Sequence, residues 1–98
     1  MPESAQEPYN QIIAHIREEG SAASNWYAGI ASDWESRLED HNVGIGEGWY
    51  IVKGCQSDTI ARAVEKALIE YGCDGGGGGG DASTVWVYAY LKTPSTNP

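Results

Sequence analysis

Phenylalanine is absent from this chain of 98 residues, and methionine occurs once. Four tryptophans and six tyrosines make up the aromatic share. Burying aromatics here therefore carries N–H and O–H groups into the core, and each needs a partner. Basic residues are scarce: six Lys and Arg against fourteen Asp and Glu, a formal charge of −8. The imbalance sits in residues 1–50, where nine acids face only Arg17 and Arg37. Gripping nucleic acid by bulk electrostatics needs clustered Lys and Arg, so that mode is excluded. A nucleic-acid role would need a local site or a bound cation. No apolar run approaches the roughly 20 residues of a membrane span. The opening stretch MPESAQEPYN lacks the basic and apolar regions of a signal peptide, so a cytoplasmic location is the expectation. Cysteine is rare too. Cys55 and Cys73 flank a helical pattern of some 16 residues, which at 1.5 Å per residue separates them by roughly 24 Å, too far for a disulfide. Both read as free thiols.

What is present fits one domain over residues 1–98, with 41% hydrophobic residues. The pattern alternates helix and strand three times. Residues 7–19 carry Tyr9, Ile12, Ile13 and Ile16 on one helical stripe, with Pro8 suited to the first position and Gly20 as a stop. Residues 25–31 read as a strand with Trp26, Ala28 and Ile30 on one face and Tyr27 and Gly29 on the other. Ser32-Asp33-Trp34-Glu35 has the form of a capping box, with Ser32 as cap, and opens a short helix to about His41 that Asn42 and Gly44 end. Residues 49–53 form a second strand. Ser57 caps, and Gly72 stops, a helix lined by Ile60, Val64, Leu68 and Tyr71. In TVWVYAYLK, Val85, Val87, Ala89 and Leu91 alternate with Trp86, Tyr88 and Tyr90. The glycines at 75–80 read as a flexible connector: no lysine follows and no helix begins there, so a phosphate loop is excluded. Residues 93–98 form a tail. The expected fold is α+β, a small, mostly antiparallel three-stranded sheet with flanking helices.

Three features carry chemistry. Arg37 and His41 are four apart on one short helix and border its apolar stripe. That suits an arginine fork for a phosphate, or a solvated pairing with Asp33 or Glu35. Glu65 falls at about 140° on a helical wheel from Ile60, between Ala61 and Ile69. A carboxylate between apolar residues wants a cation, a hydrogen-bond donor or a metal. Trp86, Tyr88 and Tyr90 form an aromatic stripe that either stacks bases or packs under a helix. His15 has no identifiable partner.

Together these residues resemble the GIY-YIG nuclease domain, over about residues 25–70. Tyr27-Ala28-Gly29 matches the family's second, Tyr-Ile-Gly, motif on a strand, with Ala28 in place of isoleucine. Arg37 matches the arginine of the following helix, His41 the ring residue one turn on, and Glu65 the metal-binding glutamate. Asn97 matches a late asparagine by order only. The family's first, Gly-Ile-Tyr, motif is missing before Tyr27, where the chain reads HIREEGSAASN. Tyr88 or Tyr90 on the last strand is the nearest equivalent, in a permuted arrangement. Gly48-Trp49-Tyr50 has the right form but comes too late. The resemblance implies an endonuclease that hydrolyses phosphodiesters with Mg²⁺ on Glu65. Tyr27, Arg37, His41 and Tyr88, with Asn97, would be its catalytic residues. The alternative it leaves is a non-catalytic module of the same fold that binds a protein partner, or an acidic mimic of DNA.

Overall fold

A computed structural model describes residues 3–20, 22–43, 49–75, 83–94 and 96. Helix α1 (Glu3–Glu18) is followed by a 3-10 turn (Ala23–Asn25), strand β1 (Trp26–Ala31), helix α2 (Trp34–Asp40), strand β2 (Tyr50–Gly54), helix α3 (Asp58–Tyr71) and strand β3 (Trp86–Leu91). The sheet order is β1-β3-β2, and both pairings are antiparallel. The chain is therefore an α+β protein with a small three-stranded antiparallel sheet, as its pattern predicts. The last strand lies in the middle. Tyr88 sits opposite Gly29 on one side and Val52 on the other.

The expected alternation along the strands holds and divides the molecule. Trp26, Ala28, Ile30, Val87 and Ala89 join Ile12, Ile16, Val64 and Leu68 in the larger core, under α1 and α3. Ala31, Tyr88 and Tyr90 join Leu38 and Val43 in a smaller core, under α2. The aromatic stripe is thus the second face of the sheet, covered by a helix.

Most element ends follow from the chemistry of their caps. The Ser57 hydroxyl accepts from the Ile60 amide at 3.2 Å, as its sequence predicts. At the other end of α3, Gly72 takes φ +133°, and the amides of Gly72 and Cys73 bond the carbonyls of Ile69 and Leu68. Asn42, at φ +60°, does the same for α2: Asn42 and Val43 bond back to Glu39 and Leu38. Val43 then packs with Leu38, which completes the motif. This turn leaves His41 at the end of α2, buried against the sheet.

Several boundaries differ from the sequence pattern. Helix α1 starts at Glu3, so Pro8 lies inside it rather than at its first position. Ala5 is wholly buried, and that packing sustains the turn before the proline, although Pro8 has no N–H to donate. Asn25 belongs to the 3-10 turn, and β2 begins one residue later than expected, at Tyr50. The cap of α2 is Asp33, not Ser32; its carboxylate accepts from the Ser36 amide and hydroxyl, both at 3.2 Å. Strand β1 stays paired through Ala31, which leaves Ser32 to make the corner. Tyr71 is 39% exposed; Ala61 and Glu65 take its place on the buried face of α3. His15 does find a partner, edge-on to Trp26 with ring centroids 5.7 Å apart. Both cysteines are free. Gly44, residues 76–80 of the glycine run, and Asn97 lie outside the described residues.

Leu38 is the buried residue of α2, a helix of 7 residues that has too few turns to be stable alone. Leu38→Ala should therefore lower the unfolding free energy by about 2–5 kcal/mol. Urea denaturation measures it; an unchanged midpoint would contradict this account of how α2 is held.

Candidate functional site

The Tyr88 hydroxyl is the meeting point of Arg37 and His41. Gly29 lies directly across the sheet from Tyr88. A Cβ on Gly29 would overlap the Tyr88 phenol, so the bare glycine backbone is what lets the ring lie across β1. The hydroxyl stands 3.0 Å from Nε2 of His41. The Arg37 guanidinium makes a side-chain hydrogen bond to the same hydroxyl. Arginine only donates, so the phenol oxygen accepts from Arg37; the direction of its bond with Nε2 follows the tautomer of His41.

Tyr27 closes the group from β1. Its ring lies 4.9 Å from that of His41 and stacks on Tyr90 at 5.4 Å. His41 is in turn 5.8 Å from Tyr88 and 5.1 Å from Tyr90. The imidazole is thus boxed by three tyrosines. Tyr88 is 1% exposed and Tyr90 0%, whereas Arg37 is exposed and Tyr27 half-buried. Arg37 is the side of the group that faces solvent.

Glu65 lies on the buried face of α3, the helix that packs on the larger core. It is 8% exposed, and burial raises its pKa above the ordinary 4.5; Arg62 offsets this in part. Among the described residues, no basic side chain lies within ion-pair distance of it. Burial also raises the pKa of the Tyr88 phenol most of all; Arg37 lowers it, while Tyr27 and the Glu65 carboxylate raise it. Tyr88 is therefore a neutral phenol at neutral pH, a donor and not a base.

The arrangement brings together Tyr27, Arg37, His41 and Tyr88 on the α2 face of the sheet, while Glu65 lies on the buried face of α3, the helix that packs on the larger core. Asn97 lies outside the described residues. The solvated pairing of Arg37 with Asp33 or Glu35 does not form; Asp33 is engaged as the cap of α2. Tyr90 is the residue the pattern left as an alternative to Tyr88. Its hydroxyl is buried with no hydrogen-bond partner, and burial drives its pKa up, well above that of a free tyrosine. A glycine in mid-strand was the one signal in the sequence for the Tyr88 position, since such glycines mark a close approach.

Among the described residues, no three His, Cys, Asp or Glu side chains cluster as a metal cage. A single carboxylate does fit Mg²⁺, which keeps most of its waters and takes one or two carboxylates with substrate phosphates. Glu65, buried and without an ion-pair partner, is such a carboxylate. A separate cleft of about 330 Å³, lined by Glu7, Gln11, Lys53 and Cys55 among others, lies between α1 and β2, with none of these five residues in its wall. Burial keeps the Cys55 thiol protonated, so that cleft holds no nucleophile. No helix among the described residues is long and apolar enough to cross a membrane. Compared with protein-family models, with curated proteins and with solved structures, the chain matches none.

Two predictions come from this geometry. Tyr88→Phe removes a bonded hydroxyl and should destabilise by about 1–2 kcal/mol, whereas Tyr90→Phe removes an unsatisfied one and should stabilise by about 1 kcal/mol. Denaturant midpoints of the two variants test the contrast; the same sign for both would contradict it. Glu65 has a folded pKa above its unfolded value, so its contribution to stability is full below the unfolded pKa and lost as pH rises through the folded one. Glu65→Gln should therefore gain stability relative to the parent as pH is raised from 4 towards 7. Urea melts across that range measure it, and a constant difference would contradict the buried carboxylate.

Proposed function

We propose that this protein is a GIY-YIG-like endonuclease that hydrolyses phosphodiester bonds of nucleic acid with a divalent metal. The observation that carries the reading is the meeting of Arg37 and His41 of α2 at the Tyr88 hydroxyl, with the Tyr27 ring of β1 against His41. Tyr88 also lies beside Gly29, in the middle of the sheet, where the resemblance expects the missing first tyrosine. The glycine of the second motif then has a physical task, which is to admit that ring.

Roles follow from chemistry and exposure. Arg37 is the cation at the exposed side of the group, so it binds the phosphate and stabilises charge developing on its oxygens. Glu65 holds Mg²⁺, which when bound supplies Lewis-acid polarisation of the phosphate and charge stabilisation at the leaving oxygen. Tyr88, a neutral phenol, orients His41 and Arg37 by its hydrogen bonds. His41, bonded through Nε2 to Tyr88, serves as a base or holds the site together, and Tyr27, half-buried beside it, orients the attacking water.

A second reading has one observation in its favour. Tyr88 and Tyr90 are almost fully buried, and His41 is 9% exposed. A group so enclosed also suits a non-catalytic module of this fold that serves a protein partner.

Cleavage separates the two. Incubated with Mg²⁺ and nucleic acid, the parent protein should cleave, and EDTA should stop it. Glu65→Ala should abolish the activity, more than a hundredfold down, with an unchanged circular dichroism spectrum. Cleavage that survives in this variant would rule out the mechanism, and a parent protein that never cleaves would favour the non-catalytic module.

A further inference from the structure

The two edges of the sheet differ. Hydrogen bonds alternate along an antiparallel strand, so every second residue turns its N–H and C=O away from its neighbour. On β1 the chain itself fills the outward positions. The Asp74 amide bonds the Trp26 carbonyl, and the Ala28 amide bonds the Asp74 carbonyl, both at 2.8 Å. On β2 the Leu91 amide bonds the Trp49 carbonyl, and the Cys55 amide bonds the Val85 carbonyl. The backbones of Trp49, Ile51, Lys53 and Cys55 therefore face β3, and those of Tyr50, Val52 and Gly54 face outward. Among the described residues, nothing pairs with these three.

An open edge is a template for another strand, and proteins blunt it with charges, prolines or bulges. Residues 49–55, WYIVKGC, have no proline and one charge, Lys53. Ile51, Lys53 and Cys55 lie on the α1 side of the sheet, where Lys53 and Cys55 help to line the cleft with Glu7 and Gln11. Trp49 shares their parity. At 56% exposure it is the most exposed large apolar side chain among the described residues.

We infer that two copies of this chain pair through β2, antiparallel, about a two-fold axis at Val52. The inference does not depend on the catalytic reading. This register is the one that pairs the whole strand: Val52 meets Val52, and Tyr50 of each copy meets Gly54 of the other. The three outward residues then exchange their backbone bonds with one another. A tyrosine opposite an edge glycine is itself a favourable cross-strand pair. Trp49 of each copy comes opposite Cys55 of the other, on the α1 side, where the cleft of about 330 Å³ opens. The exposed indole of one copy thus enters the cleft of the other, and the contact is made twice, as an isologous interface requires. The net charge of −8 opposes self-association. The paired segment carries only Lys53, however, and repulsion between acids farther off is screened over about 8 Å at physiological salt. A basic strand of another protein would gain from that charge; the self-complementary match of indole and cleft is what favours a second copy.

Sedimentation velocity of the whole protein, from micromolar to millimolar, tests this. The mass should rise to that of two chains, at lower concentration in high salt than in low. Val52→Pro removes an outward N–H that bonds nothing in its own sheet, and Trp49→Ser removes the indole. Each should weaken dimerisation by about tenfold or more, with the fold retained by circular dichroism. Trp49→Cys, oxidised with copper phenanthroline, should link position 49 of one copy to Cys55 of the other, because opposite residues of an antiparallel pair stand within disulfide reach. Peptide mass spectrometry identifies the linked pair, and adding Cys55→Ser should abolish that link. A protein that stays monomeric at every concentration and salt would overturn the inference and leave the edge to a strand of another protein. A dimer that both folded variants leave intact, or a cross-link joining only the two copies of position 49, would overturn it as well.

Discussion

A phenol laid across a bare glycine is the constraint on which the rest of the site depends. Gly29 has no side chain, so the Tyr88 ring crosses β1 and carries its hydroxyl beside His41 and Arg37. A Cβ at position 29 would overlap the phenol, so the ring or the strand would have to shift. The two partners come from one short helix, four residues apart, and the turn at Asn42 buries the second of them against the sheet. Packing of Leu38 and Val43 is thus what aims Arg37 and His41.

The sheet keeps structural and chemical tasks apart. Its larger core, beneath α1 and α3, is almost wholly apolar and carries most of the burial energy. The smaller core beneath α2 is rich in tyrosine, and each core holds one buried polar atom without a hydrogen-bond partner, Trp26 Nε1 in the larger and the Tyr90 hydroxyl in the smaller. The orphaned Tyr90 hydroxyl is a cost that an apolar ring in the same place would avoid. Glu65 is a comparable anomaly on α3, a carboxylate buried without a countercharge in ion-pair range.

Much of this was legible in the residues. Strand parity sorted Trp26, Ala28 and Ile30 from Tyr27 and Gly29 because alternation has a period of two regardless of partners. Ser57 and Gly72 marked both ends of α3, since capping chemistry is local. The position of Glu65 on its helix betrayed its burial. The strand order was not legible, because pairing β3 between β1 and β2 depends on contacts far apart in sequence. For the same reason the sequence left Tyr88 and Tyr90 level, and nothing short of the register opposite Gly29 separates them. Arg37 was equally open: its spacing suited Asp33, but Asp33 was taken by the end of its own helix.

The most direct test of the site as a metal-assisted centre is a crystal structure of the protein grown with Mn²⁺, read by its anomalous signal. The account predicts a peak at the Glu65 carboxylate. A Glu65 with no peak, bonded instead to Arg62, would contradict it.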